Sequence, residues 1–189
     1  MKPLISPAAS LPWVVAVALR DSIDSDPVVH VLVQMPLLVL SGYVAAGFWR
    51  INPAHVLSVF LIALTGFIFW MLPRSVDFAA TSGIGEIVKY VTLPVLVGMP
   101  LRLSWQHLHP MVRGFFKANC LSMLGVLGYL YLHAPIRICN SYLVSAQERL
   151  GFGFLYLCAG LCVLWAWPVL FGRIPFPTLP IFRTPSRSV

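Results

Sequence analysis

Residues 26–42 read DPVVHVLVQMPLLVLSG, and this stretch decides the class of fold. Asp26 followed by Pro27 marks a helix start, because aspartate caps the first turn and proline is tolerated at the first helical position. The residues that follow are almost all apolar. Lipid offers no hydrogen-bond partners to the backbone, so an apolar segment inside it must be helical. The stretch therefore predicts an apolar helix that begins near residue 28 and crosses a membrane.

The composition of the whole chain points to the same class. Of its 189 residues, 59% are hydrophobic and 10% are charged, whereas a soluble domain is roughly half apolar and a quarter charged. The net charge is +7, but the basic residues lie singly between apolar runs. That distribution is typical of membrane flanks and argues against nucleic-acid binding. We therefore expect the lipid bilayer to be the main partner, with no nucleic acid.

Four further segments resemble the first in length and apolar character. Together they predict an all-α integral membrane protein with a bundle of about five transmembrane helices. Asn52 before Pro53 predicts the start of the second helix, and a capping box from Ser145 to Glu148 predicts the start of the fifth. The predicted spans are residues 28–48, 54–72, 85–101, 115–133 and 150–171.

These spans divide the chain into three parts. We expect residues 1–27 to form an N-terminal interfacial segment, residues 28–172 the transmembrane domain, and the proline-rich residues 173–189 an extended tail. With five spans the termini lie on opposite sides. Seven Lys and Arg then fall on the C-terminal side and six on the other. This favours an outer N-terminus and a cytoplasmic C-terminus in a bacterial-type inner or plasma membrane.

A candidate site lies at the outer face. His30 and Gln34 are four residues apart, so they share one face of the first helix. Polar groups at this depth are expensive and usually face the bundle interior or a watery cavity. The other four helices bring polar groups to the same boundary: Asp77, Glu86, Lys89, His133, Gln147 and Glu148. A metal or proton site is one interpretation; helix capping and interfacial salt bridges are the other.

Two further sites are weaker candidates. Cys158 and Cys162 share a helix face and would suit Cu(I), although two small packing residues would give the same pattern. His30 and His133 come from different helices at one depth, as a b-type haem requires. No pocket for so large a cofactor is evident in the sequence, so haem ranks below copper. Motifs for hydrolysis or group transfer are missing, and we predict no enzymatic activity.

Three short motifs stand out in or beside the apolar segments: residues 30–34 (HVLVQ), residues 70–77 (WMLPRSVD) and residues 147–151 (QERLG). They resemble motifs of the CtaG family, multi-helix membrane proteins associated with cytochrome c oxidase assembly. The resemblance covers most of the chain, from residue 28 to about 167. It departs from the family pattern at Gln34, which replaces a second histidine, and at Lys89-Tyr90, where the family has a Glu-His pair.

The resemblance implies a non-catalytic assembly or accessory factor for a respiratory copper oxidase, which holds or passes copper at the outer face. Its implied metal ligands are His30, Gln34, His133 and Asp77, surrounded by Glu86, Lys89, Gln147 and Glu148. Because two histidines of the family pattern are replaced, a second function stays open. The chain would then be a structural accessory subunit of a membrane respiratory complex, bound to other subunits such as a haem-copper oxidase, with no metal site.

Overall fold

A computed structural model describes residues 7–18, 20, 28–133 and 144–171, and every structural statement below concerns these residues. Their secondary structure is helical, with no strand among them, as the sequence predicts. We number the helices in chain order. They are α1 (Pro7–Ala18), α2 (Val29–Ala45), α3 (Pro53–Met71), α4 (Pro73–Thr81), α5 (Gly83–Trp105), α6 (Pro110–His133) and α7 (Val144–Leu170).

Four helices in the described part are long and apolar enough to cross a membrane: α3, α5, α6 and α7. They correspond to the second to fifth predicted spans. The first predicted span is shorter than expected. Its helix α2 tightens into a 3₁₀ turn at Ala46–Phe48, and the backbone becomes extended at Trp49. The described residues thus form four candidate spans and one shorter apolar helix, where the sequence predicts about five spans.

The predicted helix starts have different outcomes. The side chain of Asn52 accepts a hydrogen bond from the Ala54 amide at 3.0 Å, so the cap before α3 is confirmed. The capping box of α7 is wrong, because the helix already includes Val144 and Ser145 lies inside its first turn. Asp26-Pro27 and the proline-rich tail lie outside the described residues. The predicted interfacial segment contains α1, which packs along α2.

Helices α2 and α5 share an unusual local geometry. Each contains a π-helical stretch, Val29–Gln34 in α2 and Leu93–Gly98 in α5. Both stretches end directly before a Met-Pro pair, at Met35-Pro36 and Met99-Pro100. Proline has no amide hydrogen, and its ring clashes with the carbonyl four residues earlier. The wider π turn accommodates that disruption, and π turns of this kind are frequent at functional sites.

Glycines bring α2 and α5 into backbone contact. A Cβ at Gly42 would overlap the carbonyl of Pro94, and a Cβ at Gly98 would overlap the carbonyl of Val39. Only glycine fits at such a contact, and small residues are the usual means of close helix approach in membranes. The contact fixes the position of α2 relative to α5, and therefore of the side chains that face each other above it.

Helices α6 and α7 form an antiparallel pair beside this core. Gly128 of α6 packs against Leu155 of α7, and Tyr131 packs against Phe154 with ring centroids 5.8 Å apart. Only 11% of the apolar window of α6 and 17% of that of α7 are buried, against 39% for α5. Most of the pair's surface therefore faces outward, where it is compatible with contact to lipid or to another protein.

Candidate functional site

Four polar side chains meet between α1, α2 and α5, and we call them the Lys89 cluster: His30, Gln34, Lys89 and Tyr90. His30 and Gln34 are fully buried, and Lys89 is only 1% exposed. They come from helices whose relative position is fixed by the glycine contact described above. A buried lysine is rare unless it is paired, so its partners determine what this site can do.

The lysine ammonium lies between the two side chains that the sequence marked as metal ligands. Its Nζ donates to Gln34 Oε1 at 2.7 Å and lies 3.2 Å from His30 Nε2. An ammonium has three donors and no acceptor, so His30 Nε2 accepts and the imidazole proton lies on Nδ1. Lys89 Nζ also lies 5.1 Å from the centroid of the Tyr90 ring, within range of a cation–π interaction.

The amide nitrogen of Gln34 connects the cluster to α1. It donates to the main-chain carbonyl of Ala16 at 2.9 Å and to the hydroxyl of Tyr90 at 2.7 Å. The Tyr90 hydroxyl in turn donates to the Ala16 carbonyl at 3.3 Å. These bonds fix the orientation of the amide, so that its oxygen must point to Lys89. Gln34 therefore joins α1, α2 and α5 with one side chain.

An ion pair lies one turn above the cluster. Arg20 Nε lies 2.9 Å from Glu86 Oε1, and Arg20 Nη2 donates to Glu86 Oε2 at 3.0 Å. The arginine side chain is 64% exposed and the glutamate side chain 21%. This bidentate pair links Arg20, just after α1, to the first turn of α5, and it places Glu86 at the rim of the cluster.

The structure does not bring His133 into this site. The side chain is exposed; its ring stacks on Tyr129 with centroids 4.2 Å apart, and its Nδ1 lies 3.0 Å from the Tyr129 carbonyl. Both contacts are within α6. Asp77 lies half-exposed on the short helix α4. Among the described residues, no group of three or more His, Cys, Asp or Glu side chains is placed to hold a metal ion.

The remaining predicted residues lie on α7. Gln147 is buried and donates to the Tyr131 carbonyl at 3.3 Å, so it joins α7 to α6. Glu148 is exposed. Cys158 donates to the Leu121 carbonyl at 3.3 Å, and Cys162 is exposed. Cys158 thus takes part in the packing of α6 on α7, in line with the packing interpretation of the cysteine pair.

The donor set does not fit the copper or haem that the sequence suggested. The lone pairs of His30 Nε2 and Gln34 Oε1 both point at the Lys89 ammonium, which occupies the position that a metal would need. A second cation there would meet strong repulsion at short range. Bis-histidine ligation of haem requires both imidazoles to face one pocket. His30 is fully buried in the Lys89 cluster, whereas His133 is exposed on α6, so the two rings do not form such a pair.

Sequence reasoning missed two members of this site. The sequence marks Tyr90 only as a departure from the family pattern, and it predicts an interfacial segment where the structure has the helix that carries the Ala16 carbonyl. The signal for Tyr90 was its place four residues after Glu86, directly beside a lysine in an apolar helix. Comparison with known protein families, with curated proteins and with solved structures finds no match. The site is therefore interpreted from its own geometry.

Proposed function

We propose that this chain is a non-catalytic accessory protein of a membrane complex, with the Lys89 cluster as its structural centre rather than a resident copper site. The observation that carries the proposal is the engagement of Lys89 Nζ by both His30 Nε2 and Gln34 Oε1 inside a fully buried site. The residues that a copper factor would use as ligands here serve as acceptors for an ammonium.

The cluster is suited to a structural role because its polar groups are satisfied. Within the described residues, no buried side-chain nitrogen or oxygen lacks a hydrogen-bond partner. A polar network of this kind rigidifies its surroundings and selects one arrangement of the helices, since any other leaves a buried group unpaired. The cluster therefore supports a fixed scaffold made of α1, α2 and α5.

The surface of the α6–α7 pair is suited to contact with other subunits. It carries exposed aromatic residues, among them Tyr156, which is 75% exposed, and Trp167, which is 60% exposed. Lipid and a partner helix are both compatible with such a surface. A respiratory complex, in particular a haem-copper oxidase, is the partner that the CtaG resemblance suggests, in a bacterial-type inner membrane with the N-terminus outside.

Gentle solubilisation and affinity purification of the tagged full-length chain test this proposal. We expect stoichiometric membrane subunits to co-purify with the unaltered chain. They should be lost from Lys89→Ala, which breaks the scaffold, but kept by Arg74→Ala. Arg74 is the control because it is an exposed basic residue on α4, outside both the Lys89 cluster and the α6–α7 pair. A chain that purifies alone at its natural expression level would contradict an accessory role.

A further inference from the structure

A second polar region lies at the opposite end of the bundle. There, the end of α2 and the end of α5 enclose a cavity of about 240 Å³. We call it the arginine pocket, and the polar and aromatic residues of its lining are Trp49, Arg50, Arg102, Gln106 and His107. None of these residues belongs to the Lys89 cluster, and the proposed accessory function makes no use of them.

The arginine pocket has an excess of positive charge. Two arginines line it, and the described residues of its lining include no Asp or Glu. Arg102 Nη1 donates to the Tyr43 hydroxyl at 3.3 Å, with the guanidinium carbon 5.1 Å from the centroid of the Tyr43 ring. A guanidinium carries five donors, so within the described part of the chain most of the donors of Arg102 stay available. Arg50 is exposed and also faces this space.

An apolar groove lies close to the arginine pocket, because its lining residue Tyr43 contacts Arg102 of the pocket. It has a volume of about 440 Å³ and runs between α2, α3, α5 and α6. Tyr43 and Leu101 line the groove at the end next to Arg102, and Val97, Phe67 and Met35 line it further along. Leu40, which also lines it, is 46% exposed, so the groove reaches the surface of the bundle.

We propose that the arginine pocket and the groove together bind an anionic phospholipid of the surrounding membrane. The phosphate lies at Arg50 and Arg102, and an acyl chain lies in the groove. Arginine forms bidentate hydrogen bonds with phosphate oxygens, and basic pockets between membrane helices recognise anionic headgroups. Trp49 lies beside the pocket, and tryptophan is enriched at the headgroup level of membranes.

The two halves of the site select this occupant. A free anion would use the arginines and leave the groove unused. A zwitterionic lipid such as phosphatidylcholine would fill the groove and also bring a phosphate, but its cationic headgroup amine would lie close to the two guanidinium groups and be repelled by them. A lipid with a net negative headgroup matches both at once. The inference uses the membrane location of the proposed function, but neither its partner subunits nor the Lys89 cluster.

The test is lipid retention by the full-length chain in neutral detergent, measured by native mass spectrometry. The chain is offered equal amounts of phosphatidylglycerol and phosphatidylcholine with identical acyl chains. We expect phosphatidylglycerol to be retained about tenfold better, and Arg50→Gln or Arg102→Gln to weaken its retention roughly fivefold each. Arg113→Gln is the matched control, because Arg113 lies at the same end of the bundle but outside the pocket.

Two further experiments test whether the groove holds an acyl chain and whether the bound phosphate belongs to a lipid. Leu40→Trp should narrow the groove at an exposed position, and so reduce retention of both lipids without removing the preference between them. Inorganic phosphate at the same concentration should not displace phosphatidylglycerol. The melting temperature of each variant without added lipid verifies that it is folded.

Three results would overturn the proposal. Equal retention of the two lipids would show that the arginines do not select a lipid by the charge of its headgroup. A loss with Arg113→Gln as large as that with Arg102→Gln would mean a diffuse charge effect. Displacement by inorganic phosphate would mean an anion site with no use for the groove. None of these results depends on whether partner subunits co-purify, so this inference and the accessory function fail separately.

Discussion

Both ends of the bundle carry basic side chains, but one end buries its lysine and the other leaves an arginine exposed. Lys89 is 1% exposed and has acceptors on α2 and an aromatic ring beside it. Arg50 is exposed, and Arg102 donates to one tyrosine hydroxyl. The network at the first end engages the buried lysine with two acceptors and an aromatic ring, whereas among the described residues the second end leaves most donors of Arg102 available. Burial with complete pairing indicates structure, and spare donors beside a groove indicate binding.

The largest effect should come from separating α2 from α5, because their contact supports both ends. Gly98→Leu would force a side chain into the carbonyl of Val39. We expect no folded protein to be recovered, as judged by gel filtration in detergent. Gly114→Leu is the control, since a Cβ at Gly114 meets nothing within 4 Å. A folded Gly98→Leu protein would show that the backbone contact does not hold the helices together.

The next effect should come from Lys89→Ala, which tests the first end alone. The substitution leaves Gln34 Oε1 buried without its donor and creates a cavity. We expect a loss of about 2–4 kcal/mol in the free energy of unfolding. Thermal unfolding in detergent measures it, with Lys117→Ala as reference, since Lys117 lies outside the cluster, 5.2 Å from the centroid of the Trp165 ring. Equal melting temperatures for the two variants would mean that the cluster does not stabilise the helices.

A smaller effect should come from Glu86→Gln at the rim of the same end. The Arg20–Glu86 pair is partly exposed, and pairs of this kind contribute about 0–1 kcal/mol. We expect a slightly lower melting temperature, with the difference reduced in 1 M salt by screening. A loss as large as that of Lys89→Ala would place Glu86 inside the cluster rather than at its rim.

The smallest effect on stability should come from the second end. Arg50→Gln removes a charge from an exposed side chain, and surface substitutions usually change the free energy of unfolding by less than ~0.5 kcal/mol. Thermal unfolding without lipid should therefore give the melting temperature of the unaltered protein. Added phosphatidylglycerol should raise that temperature for the unaltered chain more than for the variant. A large loss of stability without lipid would show that Arg50 stabilises the fold, as Lys89 does, and would contradict the difference in role between the two ends.

Much of this fold follows from the sequence. Apolar length predicts the helices, and the i, i+4 spacing of His30 and Gln34 correctly places both on one buried face. The spacing of residues along one helix does not reveal which other helix packs against it. Lys89 was assigned to the surroundings of the site and lies at its centre, because its distance from His30 depends on how α5 packs on α2.

Helix rotation explains the other misplaced residue. His133 follows Tyr131 by two residues, a turn of roughly 200° about the helix axis. Tyr131 and Gly128 face α7, so His133 must point outward. Helix α1 was read as interfacial because it is too short to cross a membrane. Its Ala16 carbonyl is a main-chain acceptor, which no side-chain pattern can mark.

The central claim is that Lys89 takes the place that a metal would need between His30 and Gln34. A Cu(I) titration of the purified full-length chain tests it most directly, with a His30→Ala, His133→Ala double variant as the comparison. We predict that the two proteins bind Cu(I) with the same affinity, because His30 Nε2 is already engaged by Lys89, and the exposed His133 belongs to no group of three possible metal ligands among the described residues. Tighter binding by the unaltered protein would contradict the account and restore His30 as a copper ligand.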